Sequence, residues 1–222
     1  MPPPWRRCIT AGFGCDKLPV FTPGIPQMLS RTEIDKFRQD ICFEDTLRGF
    51  PLTFHTSWGI FSPREIDEGT RLLLKYLDIP QDADCFDLGC GYGPIGLTMA
   101  KLAPEGQTIM VDKDFMAVEY ANKNARINKI PNVRAQLSNA YQHVEKQNFD
   151  VIASNIPAKV GKEMLQIIMF DTYQRLNPGG QFYVVTINGL RDFIKRHFKD
   201  TFGNYDKLKQ GKNYTVARAI KE

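Results

Sequence analysis

The stretch Cys85-Phe86-Asp87-Leu88-Gly89-Cys90-Gly91-Tyr92-Gly93-Pro94-Ile95-Gly96 decides the fold. It begins as a short apolar run of strand length and passes through three glycines into a segment, Gly93–Ala103, that is apolar at three-to-four spacing. Glycines at such a junction allow positive φ and let a ligand approach the backbone. The free N–H groups at a helix start favour a negatively charged group. A strand, a glycine loop and a helix in that order predict a nucleotide-type site in an α/β protein.

The flanking sequence repeats the alternation. Thr108–Asp112, Val133–Leu137, Phe149–Ser154 and Gln181–Ile187 read as further strands, with helical stretches at Ala117–Asn128 and Lys162–Leu176 between them. Alternation of this kind builds βαβ units around a parallel sheet. After a helix at Leu190–Phe202, the segments Tyr205–Lys209 and Tyr214–Ile220 are joined by Gly211-Lys212-Asn213 and read as an antiparallel hairpin. The expected fold is a doubly wound, seven-stranded, mostly parallel sheet of Rossmann-like type with a closing antiparallel hairpin. In the helix Leu190–Phe202, the stripe Leu190, Ile194, Phe198, Phe202 is expected in the core, beside a basic stripe of Arg191, Lys195 and Lys199.

Upstream the signals weaken. The first thirty residues hold six of the fourteen prolines and show no period, so residues 1–50 are expected to form an irregular arm with a short helix at Thr32 to Ile41. Residues 51–222 are expected to form the ligand-binding domain. Leu52–Thr56 alternates, and Ser57-Trp58-Gly59 offers a hairpin turn. Ser62-Pro63-Arg64-Glu65 has the composition of an N-cap and capping box for a helix running to Leu77.

Composition excludes several classes. Five cysteines without a Cys-x-x-Cys pair, and three histidines, argue against a disulfide scaffold or a zinc cage, so no metal is expected. No apolar run approaches the ~18 residues of a membrane span, and Met1-Pro2-Pro3-Pro4-Trp5-Arg6-Arg7 lacks the apolar stretch of a secretory signal. A cytoplasmic protein without a membrane partner is expected. The net charge of +4 is uneven: Arg191 to Glu222 carries nine Lys/Arg against four Asp/Glu, and the remainder sums to −1. An anionic partner fits that asymmetry, as does a solvated face.

The loop admits two ligand classes. Gly91-x-Gly93-x-x-Gly96 matches the dinucleotide fingerprint, with Asp112 about twenty residues on. In that pattern, however, the first glycine ends the strand, whereas Asp87-x-Gly89-x-Gly91-x-Gly93 places an acid before the loop. Such an acid can hold an ammonium group, directly or through water; S-adenosylmethionine has one and a nicotinamide cofactor does not. Gly89, Cys90, Gly91 and Gly93 would line that cofactor. Asp112, followed by Lys113, ends the second strand where a carboxylate can accept both ribose hydroxyls, and Asp114 is the better helix cap. Ser138-Asn139-Ala140 follows the third strand, where an adenine edge would be read.

The fourth strand runs into Asn155-Ile156-Pro157-Ala158. Proline keeps its predecessor extended, so the Asn155 side-chain oxygen and the Ile156 carbonyl can converge on one N–H₂ group and leave its lone pair facing a methyl donor. Such a transfer needs orientation more than acid–base power. No cysteine follows Pro157, which argues against a covalent thiolate route.

Together Asp-x-Gly-x-Gly-x-Gly, Asp112, Asn155-Ile156-Pro157 and Leu176-Asn177-Pro178-Gly179-Gly180 resemble class I S-adenosylmethionine-dependent methyltransferases. More narrowly, Trp58-Gly59-Ile60-Phe61-Ser62, Asp67-x-Gly69-x-Arg71-Leu72-Leu73, Phe202-Gly203-Asn204 and Tyr214-Thr215-Val216-Ala217-Arg218 resemble the small-methyltransferase-domain group that contains ribosomal-RNA guanine-N2 methyltransferases. The resemblance covers roughly residues 52–221. It implies N-methylation of an exocyclic amine in structured RNA or a ribosomal subunit, with Phe61 near the cofactor, Asp112 on ribose and Asn155 to Pro157 on the amine. One departure is visible: the group usually has Asn-Pro-Pro and an aromatic that stacks on the base, where this chain has Ile156 and Ala158. Stacking must then come from elsewhere; Trp58, Phe54 and Tyr141 are the aromatics at hand, and packing is expected for at least two of them. Lys159 and Lys162 are candidates for phosphate contact. Three other functions compete: a protein amide N-methyltransferase, a silent cofactor-binding protein, and a nicotinamide oxidoreductase, the last without an evident catalytic His or Tyr-x-x-x-Lys.

Overall fold

A computed structural model describes residues 29–145, 148–157 and 159–222. The proline-rich start of the expected arm lies outside them, and so does Ala158. In chain order the elements are α1 (Arg31–Phe37), β1 (Ile41–Leu47), β2 (Phe50–Thr56), α2 (Glu68–Tyr76), β3 (Cys85–Leu88), α3 (Pro94–Leu102), β4 (Thr108–Asp112), α4 (Phe115–Ile127), β5 (Val133–Leu137), β6 (Phe149–Asn155), α5 (Lys162–Arg175), β7 (Leu176–Ile187), α6 (Arg191–Phe202), β8 (Asp206–Gln210) and β9 (Tyr214–Ile220). Strands β3 to β9 form one sheet in the order β5-β4-β3-β6-β7-β9-β8. Strands β3 to β7 are parallel, and β9 and β8 close the edge antiparallel. This is the doubly wound α/β fold that the alternation predicts.

The strand interiors are apolar on both faces because both faces are covered. One layer joins Leu73, Leu74, Leu97, Met99, Val118 and Ala121 of α2, α3 and α4. The other joins Leu165, Ile168 and Met169 of α5 to Ile194, Phe198 and Phe202 of α6. The expected core stripe of α6 is thus buried, apart from half-buried Leu190.

Two local expectations are corrected. The hairpin before the domain does not turn at Ser57-Trp58-Gly59. Its strands are β1 and β2, joined at Arg48 and Gly49, both with positive φ (53° and 87°). That is the backbone of a two-residue hairpin turn, for which Arg-Gly is an inconspicuous sequence. Residues 41–50 are therefore not irregular. The hairpin is fastened to α4 by two asparagines one helical turn apart: Asn124 Oδ1 accepts from His55 N at 2.8 Å, and Asn128 Oδ1 accepts from Thr53 N at 2.9 Å. Their amides donate back to the carbonyls of His55 and Thr53.

Helix α2, likewise, does not begin at Ser62-Pro63. Ser62 has φ of 48°, and Tyr92 Oη donates to the carbonyls of Ser62 and Glu65, turning that segment toward the loop after β3. Asp67 is the true N-cap, accepting from Thr70 N at 3.0 Å.

Candidate functional site

The order of strands reverses on either side of β3 and β6, and open α/β sheets bind ligands beyond the carboxyl ends of strands at such a point. The loop after β3 lies there. Gly89, Gly91 and Gly93 all have positive φ (78°, 54° and 97°). A Cβ on Gly89 or Gly91 would meet nothing within 4 Å, so the space above these two is open. Gly96 is the opposite case: a Cβ there would come within 2.4 Å of Met110 Cγ, and its bareness brings its N–H to 2.7 Å from Asp87 Oδ2.

Asp87 is completely enclosed beneath the loop. One oxygen takes the Gly96 N–H, and Oδ1 has no partner. Burial pushes its carboxyl up to about 7, against the pull of the Gly96 hydrogen bond, and nearby Asp112 adds to the rise. With the side chain enclosed, direct contact with an ammonium group is closed in this conformation, leaving the route through water. Cys90 is buried too, and burial with the adjacent charges of Asp87 and Asp112 raises its thiol, so it remains an S–H donor to the Gly91 carbonyl.

Asp112 ends β4 beside the loop. Its Oδ2 accepts from Gly91 N at 2.9 Å and its Oδ1 from Asp114 N at 3.0 Å. A carboxylate has about four lone-pair sites, so both oxygens keep acceptor capacity. Asp114 caps α4 through Met116 N, as the sequence suggested. Lys113 is exposed. In the β4–β5 register Asp112 pairs with Leu137, which is exposed, as is Phe115 at the start of α4. These two apolar side chains flank Asp112, and sequence reasoning missed them because each falls outside a buried stripe. Asn139 is exposed at the end of β5, and Ala140 has φ of 50°.

Asn155 ends β6, two positions past Ala153, the register partner of Asp87, so it lies at the same carboxyl edge of the sheet as the glycine loop that follows β3. Ser154 Oγ donates to the Leu88 carbonyl and holds the two strand ends together. Asn155 Nδ2 donates to Asp67 Oδ2 at 2.9 Å and to Thr70 Oγ1 at 3.0 Å. Tyr214 Oη of β9 donates to Asp67 Oδ1 at 3.1 Å. Ile156 is buried and its N–H donates to the Val185 carbonyl; Pro157 is exposed. Asp67 and Thr70 thus hold the Asn155 amide, with Tyr214 behind Asp67, and no local sequence pattern marks them as its partners.

The other candidates divide. Phe54 and Tyr141 are core residues, Tyr141 stacking on Phe86 with ring centres 4.8 Å apart. Trp58 is exposed, with the Arg64 guanidinium 4.5 Å from its ring centre and Phe37 edge-on. Phe61 is two-thirds exposed. Lys162 is exposed at the start of α5, and Lys159 is exposed three residues before it. On α6, Lys195 and Lys199 face solvent, and Arg191 pairs with Asp192.

One cluster away from the loop was not foreseen. Asp40, Cys42 and His55 bring donor atoms within 4.8 Å of one another. Asp40 is already engaged there by Lys123, by His55 Nδ1 at 2.9 Å and by Tyr120 Oη at 2.7 Å. Burial would raise its carboxyl, but these three hydrogen bonds outweigh it and hold Asp40 at about 2. The network ties the segment before β1 to α4. Among the described residues no helix is long and apolar enough to cross a membrane.

Comparison with known proteins gives the family. Residues 51–218 match the methyltransferase small domain family. The uncharacterized protein YbxB of Bacillus subtilis is 32% identical over 179 residues, covering 79% of this chain and 89% of YbxB. The ribosomal RNA large subunit methyltransferase G of Cronobacter sakazakii is 29% identical over 79% of this chain and 48% of its own length. A 16S rRNA N2 methyltransferase of T. thermophilus, solved with AdoMet and guanosine, superposes with a TM-score of 0.75 at 27% identity, covering 82% of this chain and 51% of that one. The chain thus spans about half the length of these two rRNA methyltransferases. With the family matched across the loop, the strand ends and the closing hairpin alike, the chain belongs to the methyltransferase small domain family and is a methyltransferase.

Proposed function

We propose that this chain transfers a methyl group from S-adenosylmethionine to an exocyclic amine of a base in structured RNA, with guanine N2 of ribosomal RNA as the favoured target. The observation that carries the proposal is that Asn155 ends β6 at the carboxyl edge shared with neighbouring β3 and its glycine loop, so that an amine acceptor and a cofactor loop stand at one switch point. The chain's residues fit the cofactor. The open space over Gly89 and Gly91 admits its backbone-facing part, and the orphaned Oδ1 of buried Asp87 offers an unused acceptor beneath its ammonium end. Asp112 has acceptor capacity for ribose hydroxyls, and exposed Leu137 and Phe115 offer apolar cover for the adenine beside Asn139 and Ala140.

When bound, the cofactor supplies an electrophilic methyl group. The protein's part is orientation: the Asn155 oxygen and the Ile156 carbonyl take the two N–H hydrogens, and the nitrogen lone pair is left to face the methyl. A base must first be unstacked, at a cost of a few kcal/mol, and the exposed Trp58, with Arg64 above it, is assigned as an aromatic surface to receive it. Lys159, Lys162 and the basic α6 face are assigned to the RNA backbone. The relatives named above support an RNA target, since two of them are rRNA methyltransferases.

The test is mass spectrometry of nucleosides from RNA of cells with and without the gene. Loss of one methylated guanosine, restored by the purified chain with S-adenosylmethionine, is expected. An unchanged RNA profile together with a methylated protein would replace the RNA substrate with a protein amide.

A further inference from the structure

Asn155 is held by a residue that the amine-binding motif does not contain. Asp67 Oδ2 accepts the backbone N–H of Thr70 at 3.0 Å, and a backbone N–H can only donate. That oxygen therefore presents lone pairs to its surroundings, Asn155 included. Turned the other way, the Asn155 side chain would set its own oxygen 2.9 Å from Asp67 Oδ2, lone pair against lone pair. Its N–H₂ must face Asp67, and the second amide hydrogen goes to Thr70 Oγ1. Both donors are consumed, so the oxygen is the only part of the amide left for a ligand.

Asp67 is itself fixed from a third element. Tyr214 Oη donates to its other oxygen, and Tyr214 stays protonated because burial and the Asp67 charge both raise its phenol. The cluster is packed without slack: a Cβ on Gly69 would come within 2.8 Å of Tyr214 Cδ1 and 2.9 Å of Asp67 Oδ2. We infer that Asp67, with Thr70 and Tyr214, is a positioning residue that locks the polarity of the Asn155 amide so that an acceptor, never a donor, meets the substrate. The lock rests on the role proposed for Asn155. It also explains why that site would select a substrate with an N–H to give and reject one that offers only lone pairs.

Asp67 also caps α2, so the test must separate capping from polarity. Serine caps nearly as well as aspartate but is too short to span from Thr70 N to Asn155 and Tyr214. Asparagine keeps an oxygen toward Thr70 and Asn155 and turns its own amide to Tyr214. Using total RNA from cells lacking the gene as the probe, with tritiated S-adenosylmethionine, Asp67→Ser is expected to lower kcat by about tenfold or more at little-changed KM and melting temperature. Asp67→Asn should recover most of that rate, and in an Asn155→Ala background Asp67→Ser should cost nothing further.

An assay without turnover checks the lock itself. In ¹⁵N spectra of the S-adenosylhomocysteine complex, the side-chain N–H₂ pair that disappears in Asn155→Ala should exchange slowly with water and should shift and exchange faster in Asp67→Ser. Equal rates for the serine and asparagine variants, or an N–H₂ pair indifferent to Asp67→Ser, would overturn the lock. Wild-type transfer by Asn155→Ala would instead remove the functional reading of Asn155 and leave the amide measurement standing.

Discussion

Asp112 Oδ2 accepts the N–H of Gly91 at 2.9 Å, so the acid at the end of β4 holds open the loop at the end of β3. The ribose contact proposed for Asp112 and the shape of the loop therefore depend on one side chain. Asp112→Ala should weaken S-adenosylmethionine at least tenfold, because a charged acceptor lost from a hydroxyl costs roughly 1.5–3 kcal/mol. Calorimetric titration decides it: an affinity equal to wild type would take Asp112 out of the site.

Gly91 has φ of 54°, and the space where its Cβ would stand is empty. A Cβ there meets no protein atom within 4 Å, so overlap of that atom with the fold is not the difficulty. It would occupy the space assigned to the cofactor and resist positive φ, since a β-branched residue in that region is a true outlier. Gly91→Val should abolish cofactor binding while the circular dichroism spectrum stays folded. A folded variant with normal affinity would move the cofactor elsewhere.

Asp87 makes stability depend on pH. Its carboxyl is raised to about 7 in the folded chain from 3.8, so between those values the folded state holds a proton that the unfolded state has lost. The contribution of Asp87 to stability must then fall as pH rises from about 4 to about 7 and level off above. Asp87→Asn removes this dependence while keeping an oxygen for the Gly96 N–H. The gap between variant and wild type should shift in the variant's favour by about 2–3 kcal/mol between pH 5 and pH 8 in urea unfolding. A gap independent of pH would mean that Asp87 titrates normally.

Asn155→Ala should leave cofactor affinity nearly unchanged and slow methyl transfer by about a hundredfold or more, in line with about 2.7–4 kcal/mol for a lost orienting group in a water-poor site. Single-turnover kinetics with saturating S-adenosylmethionine would measure it. Transfer at the wild-type rate would end the proposed mechanism even with cofactor binding intact.

Features that rest on short-range pattern are legible in the chain alone. The strand Cys85–Leu88 and its glycine loop, the strands after it and the antiparallel pair β8–β9 follow from apolar runs and turn residues a few positions apart. Asp114 as a helix cap is equally local, and the motifs of the loop and of β6 carried the family. Tertiary structure decided the rest, because the partners are remote in the chain. Tyr92 binds the Ser62 and Glu65 carbonyls from 30 and 27 residues away and so overrides a good local capping signal. Asn124 and Asn128 reach back about seventy residues to hold β2, and no periodicity announces that. The orientation of Asn155 depends on Asp67, 88 positions earlier, which in turn is held by Tyr214, 147 positions later. Helix and strand patterns repeat along the chain because backbone hydrogen bonds and side-chain periods are regular. A side-chain network joining α2, β6 and β9 has no period, and it exists only once the sheet brings those three elements to one place.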